Sequence, residues 1–273
     1  MMKSLLYSSS NFSLRKTTGF LLFLLLTAVG LRAQVATNYT YAEFADNPNT
    51  YTNLDSTLKT ILIPSAPPAT WTGTTATPVN TPIGFNFVYN GSTYSDMWDS
   101  GNGYITFGAT PTATNITAIS SATGGSYSGA IAGYSSNLSV GPVTTEGTPA
   151  VQTNCISKLV TGTAPNRICK IEYRLVRRSG GTVPISFQIW LYETTNQIEV
   201  YFDVSGTFLN NSTGQCGLRG TSNLDYNNRQ NVASTNWSVT TAGTVSTASL
   251  KTSTSFQIPV TATRRFQWTP NNC

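Results

Sequence analysis

The chain contains no histidine. That one absence removes the Ser-His-Asp and Cys-His nucleophile systems, imidazole general bases, and the commonest protein ligands for zinc and copper. Charge is scarce too: Asp, Glu, Lys and Arg make up 10% of the 273 residues. No segment sustains a 3.6-residue apolar period over three turns. Without a helix to supply an N-terminus, a phosphate-cradling glycine loop is excluded as well. The longest apolar run, Phe20 to Val29, is about half of the ~20 residues that cross a bilayer.

That run sits in a segment built like an export leader, with basic Lys3, Arg15 and Lys16 ahead of it and small Ala33 at the expected cut. A leader of residues 1–33 and a single exported domain of residues 34–273 are therefore expected. The pI near 9.0 is misleading, because Lys3, Arg15, Lys16 and Arg32 leave with the leader, and 12 basic against 11 acidic residues remain. The remaining basic pairs, Arg177-Arg178 and Arg264-Arg265, suit solvated turns or edge-strand guards better than a nucleic-acid footprint. No nucleic-acid partner and no integral membrane segment after leader removal are expected.

All four cysteines, Cys155, Cys169, Cys216 and Cys273, lie in the exported part. In an oxidising compartment an even count favours two disulfides, with three possible connectivities. With Thr161 to Asn166 as a hairpin turn, Cys169 falls opposite Leu159 and Cys155 opposite Tyr173. That separates the two thiols by four residues of strand, about 13 Å, and a link from at least one of them to Cys216 or Cys273 is preferred.

What the sequence has in quantity is two-residue alternation. Residues 185 to 203 read as a complete hairpin around Thr194-Thr195-Asn196-Gln197. Pairing residues whose numbers sum to 391 sets Leu191 opposite Val200, Ile189 opposite Phe202, Trp190 opposite Tyr201 and Tyr192 opposite Glu199, with one aliphatic and one mixed face. Asn90-Gly91 between alternating aromatics predicts a type I′ turn, which needs positive φ at both positions. Short strands are expected at 39–41, 51–54, 58–63, 104–107, 130–134, 151–160, 167–178, 215–219, 236–240, 253–258 and 264–268. Residues 65–82 and 109–128 are read as polar loops. About a dozen short strands with turn signals between them make the fold an all-β antiparallel β-sandwich, jelly-roll-like in outline.

Five segments carry a resemblance: Ile83-Gly-Phe-Asn-Phe-Val-Tyr-Asn-Gly-Ser-Thr-Tyr94, Asn102-Gly-Tyr-Ile-Thr-Phe-Gly108, Gly162-Thr-Ala-Pro-Asn-Arg167, Leu191-Tyr-Glu-Thr-Thr-Asn-Gln-Ile198, and Gly217-Leu-Arg-Gly220 followed by Asn236-Trp237. In this order they resemble the N-terminal β-sandwich module of large secreted surface proteins of the Bacteroidota. The leader ending Leu-Arg-Ala-Gln is similar to theirs. The resemblance implies a module without an established catalytic site, usually followed by fibronectin type III-like modules and a sorting domain of the type IX secretion system. This chain ends at Trp268-Thr-Pro-Asn-Asn-Cys273 without such a sorting domain. Its Ile131-Ala-Gly-Tyr-Ser-Ser-Asn-Leu138 lacks the Trp and Asp of the family's corresponding strand.

The enzymatic option left open by these residues is a two-carboxylate glycoside hydrolase. Glu193 and Glu199 differ in parity. Glu199 and Asp203 share a face but stand about 13 Å apart, beyond the ~5 to 9.5 Å such mechanisms use. Glu172, on another strand, remains able to approach one of them. Asp96, Asp99 and Asn102 offer loop oxygens to calcium, but their spacing lacks the alternation of known calcium loops, and turn-forming Asx roles account for them better. No cofactor is expected. Trp190, Tyr192 and Tyr201, with Gln188 and Glu199 between them, form an aromatic and polar row able to stack sugar rings or anchor an interface, unless another segment packs over it. The leading expectation is a secreted, non-catalytic module with an adhesive or structural role at the cell surface or exterior, the periplasm being the alternative location. A carbohydrate-binding module comes second and a secreted glycoside hydrolase third. The partner is then a glycan or another extracellular protein.

Overall fold

The computed structural model describes residues 35–45, 51–55, 57–63, 72–140, 145–146, 151–152, 155–181, 184–203, 214–229 and 264–271. The leader, the turn at 46–49, Cys273, and the strands expected at 236–240 and 253–258 lie outside them, as does Asn236-Trp237. Among the described residues the fold is two antiparallel sheets packed face to face, an all-β sandwich. No described helix is long and apolar enough to cross a membrane.

The strands are β1 Tyr39–Ala45, β2 Thr60–Ile63, β3 Val79–Tyr89, β4 Ser92–Ser100, β5 Tyr104–Phe107, β6 Gly129–Ser135, β7 Leu138–Val140, β8 Thr145–Glu146, β9 Val151–Gln152, β10 Ile156–Thr161, β11 Ile168–Arg178, β12 Pro184–Tyr192, β13 Ile198–Asp203, β14 Gln215–Arg219, β15 Tyr226–Arg229 and β16 Arg264–Pro270. The first sheet runs β1-β16-β13-β12-β11-β10-β2, with β7 pairing beyond a bulge on β11. The second runs β15-β14-β6-β5-β4-β3, and β8 and β9 form a separate two-stranded ladder. Each sheet contains a run of neighbouring strands that follow one another in the chain, β10 to β13 in the first and β3 to β6, counted inward from the edge, in the second. Residues 51–54 are not a strand but an extended strap, and β3 begins inside the segment read as a loop. Pro82 is tolerated there because β3 is the edge of its sheet.

The alternation that made the strands also makes the core. Ile171, Tyr173, Phe187, Ile189, Val200, Phe202 and Phe266 of the first sheet meet Phe87, Tyr89, Ile105, Phe107, Ile131 and Leu218 of the second in one buried cluster. Buried aromatics contribute roughly 4 to 6 kcal/mol each at ~25 cal/mol per Å², an upper bound. The sheets pack closely at Gly133, where an added Cβ would come within 2.5 Å of the Phe187 ring.

The expected turn at Asn90-Gly91 is present, with φ of 49° and 80° and Tyr89 paired to Ser92. Two registers differ from expectation. In the β12–β13 hairpin Ile189 pairs with Val200 and Trp190 with Glu199, two residues from the predicted pairing. The turn is Glu193 to Asn196, with Thr194 and Asn196 at φ of 66° and 51°, so it starts one residue earlier than Thr194-Gln197. An even shift keeps every side chain on its face. The β10–β11 hairpin shifts by one: Val160 pairs with Cys169 and Ile156 with Tyr173. The face assignment on β10 is thereby reversed.

Cys155, Cys169 and Cys216 are buried, and the expected disulfides are not formed among these described cysteines. Cys169 and Cys216 both belong to the core. Burial pushes the Cys169 thiol up to about 12 and raises that of Cys216 further still.

Tyr173 crosses from the first sheet to the second. Its phenol lies 2.7 Å from Asp99 Oδ1 and 3.0 Å from the carbonyl oxygens of both Ser100 and Tyr104. One phenolic proton cannot serve three acceptors. Asp99 Oδ2 is buried without a partner, and burial raises the carboxyl to about 7 against the opposing effects of Tyr173 and Lys158. A protonated Asp99 resolves the shortage of protons. Because the folded value lies above that of the unfolded chain, the contribution of Asp99 is intact below about pH 4 and is lost as pH rises through about 7. Melting curves of wild type and Asp99→Asn should therefore differ by an amount that changes between pH 4 and 7 and is flat above, with wild type losing ground. A pH-independent difference would show that Asp99 does not titrate in that range.

Candidate functional site

The outer face of the first sheet carries the aromatic and polar row. Strand alternation does place Gln188, Trp190 and Tyr192 of β12 beside Glu199 and Tyr201 of β13, as the sequence predicts. The residues are not, however, an open platform. Gln188, Glu199 and Tyr201 are buried, while Trp190 and Tyr192 are half-buried.

Glu199 is the centre of this group. Its Oε2 accepts from the phenols of Tyr192 (2.5 Å) and Tyr201 (2.6 Å), and its Oε1 accepts from Gln197 (2.7 Å) and Arg265 (3.0 Å). Burial, then the bond to Glu199, pushes both phenols well above their ordinary range. The Trp190 indole donates to Gln188 Oε1 at 2.8 Å. Both flanks of its ring are occupied: the Lys170 ammonium from β11 stands 3.9 Å from the ring centroid, and Tyr201 from β13 packs at 4.2 Å. Stacking of a sugar on either face would displace a protein group.

The other end of the row is roofed. Glu172 Oε1 accepts from Gln188 (2.8 Å), from the Tyr51 phenol (3.1 Å) and from the Leu54 amide (3.1 Å), and Gln188 also donates to Thr52 O at 2.8 Å. The strap of residues 51–55 is thus fastened to the sheet through one buried carboxylate, whose pKa burial raises. Glu172 lies opposite Gln188, and Gln188 opposite Tyr201. Glu172 and Glu199 are therefore two strands apart and two residues out of line. That is about 12 Å between backbones at ~4.8 Å per strand and ~3.4 Å per residue, and the two carboxylates are held by different partners, Glu172 by the strap and Glu199 by Tyr192, Tyr201, Gln197 and Arg265.

Asp96, Asp99 and Asn102 do not converge. Asp96 is exposed and accepts from Asn80, Asp99 faces Tyr173, and the Asn102 amide donates to the carbonyls of Ala113 (2.8 Å) and Asn115 (2.9 Å). Among the described residues no three His, Cys, Asp or Glu are grouped to hold a metal.

Two residues missed as functional in the sequence, Arg167 and Arg219, act as clamps. Arg167 forms a bidentate pair with Glu193, Nε to Oε2 at 2.8 Å and Nη2 to Oε1 at 2.5 Å, and its Nη1 donates to Gly84 O at 2.7 Å. The loop after Gly162, the turn after Leu191 and the strand around Ile83-Gly84, separate motifs in the chain, meet at this one guanidinium. Arg219 of Gly217-Leu-Arg-Gly220 reaches outward from β14 to Ala118 O, Ser121 O and the Tyr127 phenol at 2.8 to 3.1 Å. It ties down residues 109–128, whose Ala118, Ile119 and Tyr127 form a second apolar cluster over the second sheet. Asn102 holds the same segment from β5's entry. A lone Arg followed by a lone Glu at no fixed spacing carries no sequence signal. Only the pairing of β11 with β12 brings Arg167 to Glu193.

Trp190→Ala should lower stability by about 2 kcal/mol, less than for a fully buried Trp, because the ring braces Lys170 and Tyr201. Arg167→Ala should lower stability by more than the loss of an isolated surface pair, since Gly84 O and Glu193 both lose a donor. Denaturant midpoints of the two variants check both, and an unchanged midpoint for either would remove its structural role.

No curated protein and no solved structure matches this chain. A family model described as NIDO related matches residues 38–270. That span begins just before β1, ends with β16 and so takes in both sheets and every clamp described above; the chain belongs to the NIDO-related family.

Proposed function

We propose that this chain is a secreted, non-catalytic β-sandwich module with an adhesive or structural role at the cell exterior, and that residues 1–33 are its export leader. The family membership and the sandwich fit such a module. The observation that carries the reading is the fate of the recurring motifs. Arg167, Glu193, Gly84, Asn102 and Arg219 converge on clamps that fasten turns and covering segments to the two sheets, not on a cleft. The carboxylates available for acid-base work support it further. Glu193 is engaged by Arg167, Glu199 by four donors, and Glu172 by the strap. The ordered resemblance to N-terminal modules of Bacteroidota surface proteins supports an exterior location.

A carbohydrate-binding module is the second reading. The half-exposed edges of Trp190 and Tyr192 favour it, and the occupied flanks of Trp190 count against that row as the platform. A glycoside hydrolase is the third reading, and the spacing of Glu172 and Glu199 speaks against that pair.

Residues 34–273 coupled to beads should bind insoluble polysaccharide or cell-surface material without releasing reducing ends. Release of reducing ends that Glu172→Gln or Glu199→Gln abolishes would replace this reading with the hydrolase. Beads that bind nothing would leave no support for adhesion.

A further inference from the structure

One open pocket, of about 340 Å³, lies at the end of the sandwich where two hairpin tips meet the first and last strands. Its wall contains none of the residues of the aromatic row, although Asn196 belongs to the turn that joins Tyr192 to Glu199. Four segments build its wall: Asn38 and Tyr39 at the start of β1, Val88 and the Asn90-Gly91 turn of β3–β4, Asn196 of the β12–β13 turn, and Pro270 at the end of β16.

The chemistry of the wall selects its occupant. Among the described residues no charged side chain lines it, so an ion entering would lose hydration without gaining a counter-charge from them. Three asparagines line one small space, and an amide both donates and accepts, as does a hydroxyl; Asn196 already donates to Thr194 O at 3.2 Å. Val88, Pro270 and the Tyr39 ring add apolar patches of the kind that pack on the C–H face of a sugar. Val88 is 36% exposed, unusual for a valine inside a strand of this sheet. A volume near 340 Å³ is at the small end of ligand sites, roughly 300 to 1,000 Å³, and suits one or two rings, not a long chain.

The wall is also held in place before any ligand arrives. Asn38 donates to Asn90 Oδ1 at 2.9 Å, the Asn90 amide donates to the Tyr39 phenol at 3.1 Å, and Asn196 Oδ1 accepts from the Val88 amide at 2.8 Å. Asn271 ties the neighbouring backbone, its amide donating to Asn38 O at 2.8 Å. Fixed side chains lower the entropy lost on binding. The β12–β13 turn beside the pocket carries Thr194 at φ 66°, a conformation that is rare for a β-branched residue and that the surrounding contacts must maintain.

We propose that this pocket binds a neutral saccharide of one or two rings through the carboxamides of Asn38, Asn90 and Asn196. Its site is distinct from the Trp190 row, and the proposal stands whether or not the bead-binding role above holds.

The test titrates residues 34–273 with glucose, galactose, mannose, N-acetylglucosamine and their neutral disaccharides, beside glucosamine and glucuronate, and follows backbone amide shifts. At least one neutral sugar should bind saturably in the millimolar range or tighter, with the largest shifts at Asn38, Asn90, Gly91 and Asn196. Asn90→Asp keeps the turn, because Asp-Gly also favours type I′, and should weaken binding by at least about tenfold at unchanged melting temperature. Asn196→Asp, whose oxygen still accepts from Val88, provides the same comparison if the first variant unfolds. Trp190→Ala should leave binding intact. The proposal falls if no neutral sugar shifts these amides, if the charged sugars bind better, or if binding survives both Asp variants. Loss of binding in Trp190→Ala alone would move the site to the aromatic row.

Discussion

The Tyr173 phenol is the point at which the two sheets are pinned at a fixed separation. It starts on β11, stacks flat on Phe187 at 4.6 Å, and ends among Asp99, Ser100 and Tyr104 of the other sheet. Apolar packing alone tolerates sliding, because dispersion and burial are not directional. A buried phenol with three acceptors is directional, and leaving any of them without a partner is expensive. Phe187, stacked on that phenol, reaches Gly133 on β6, where there is no room for a Cβ. The close approach of the sheets, the protonated state of Asp99 and the register of β11 against β12 therefore belong to one arrangement.

A sandwich has two outer faces as well as two inner ones, and this protein covers both from its own chain. Residues 51–55 roof part of the first sheet through Glu172, and residues 109–128 roof the second through Arg219, Asn102 and Gln215. The long edge of β3 receives the same treatment. Lys158 donates to Pro82 O, Arg167 to Gly84 O, and the Val88 amide donates to Asn196. An edge strand with its backbone groups occupied is a poor template for another chain. The polar groups that looked like chemistry in the sequence are largely the fasteners of these covers, which leaves the loop end of the sandwich as the open surface.

Much of the local structure was legible in the residues. Asn90-Gly91 announced its turn because positive φ at two successive positions admits few residue types. The β12 and β13 strands announced their faces because the side-chain period is two. Pairing was less legible. Four residues such as Glu193-Thr-Thr-Asn196 close a hairpin as well as the next four do, and the choice rests on Thr194 and Asn196 adopting positive φ and on Asn196 bonding Val88 of the other sheet. The β10–β11 register turned on a loop containing Gly162 and Pro165 whose shape no alternation describes. The aperiodic stretch 109–128 offered no sign that Ala118, Ile119 and Tyr127 would make a small core of their own.

Composition and alternation by themselves determined that this chain is an all-β sandwich without imidazole chemistry, since a period of two and an absent residue type are both local facts. Tertiary structure alone decided which polar residues are fasteners and which are exposed. Glu199 acquires Arg265, and Trp190 loses both ring faces, only through strands brought alongside by the β11, β13 and β16 pairings. The pocket of Asn38, Asn90 and Asn196 likewise exists only where the first strand, the last strand and two hairpin tips meet. Those contacts join residues far apart in the chain, and proximity of that kind is created by sheet order, which no window of sequence contains.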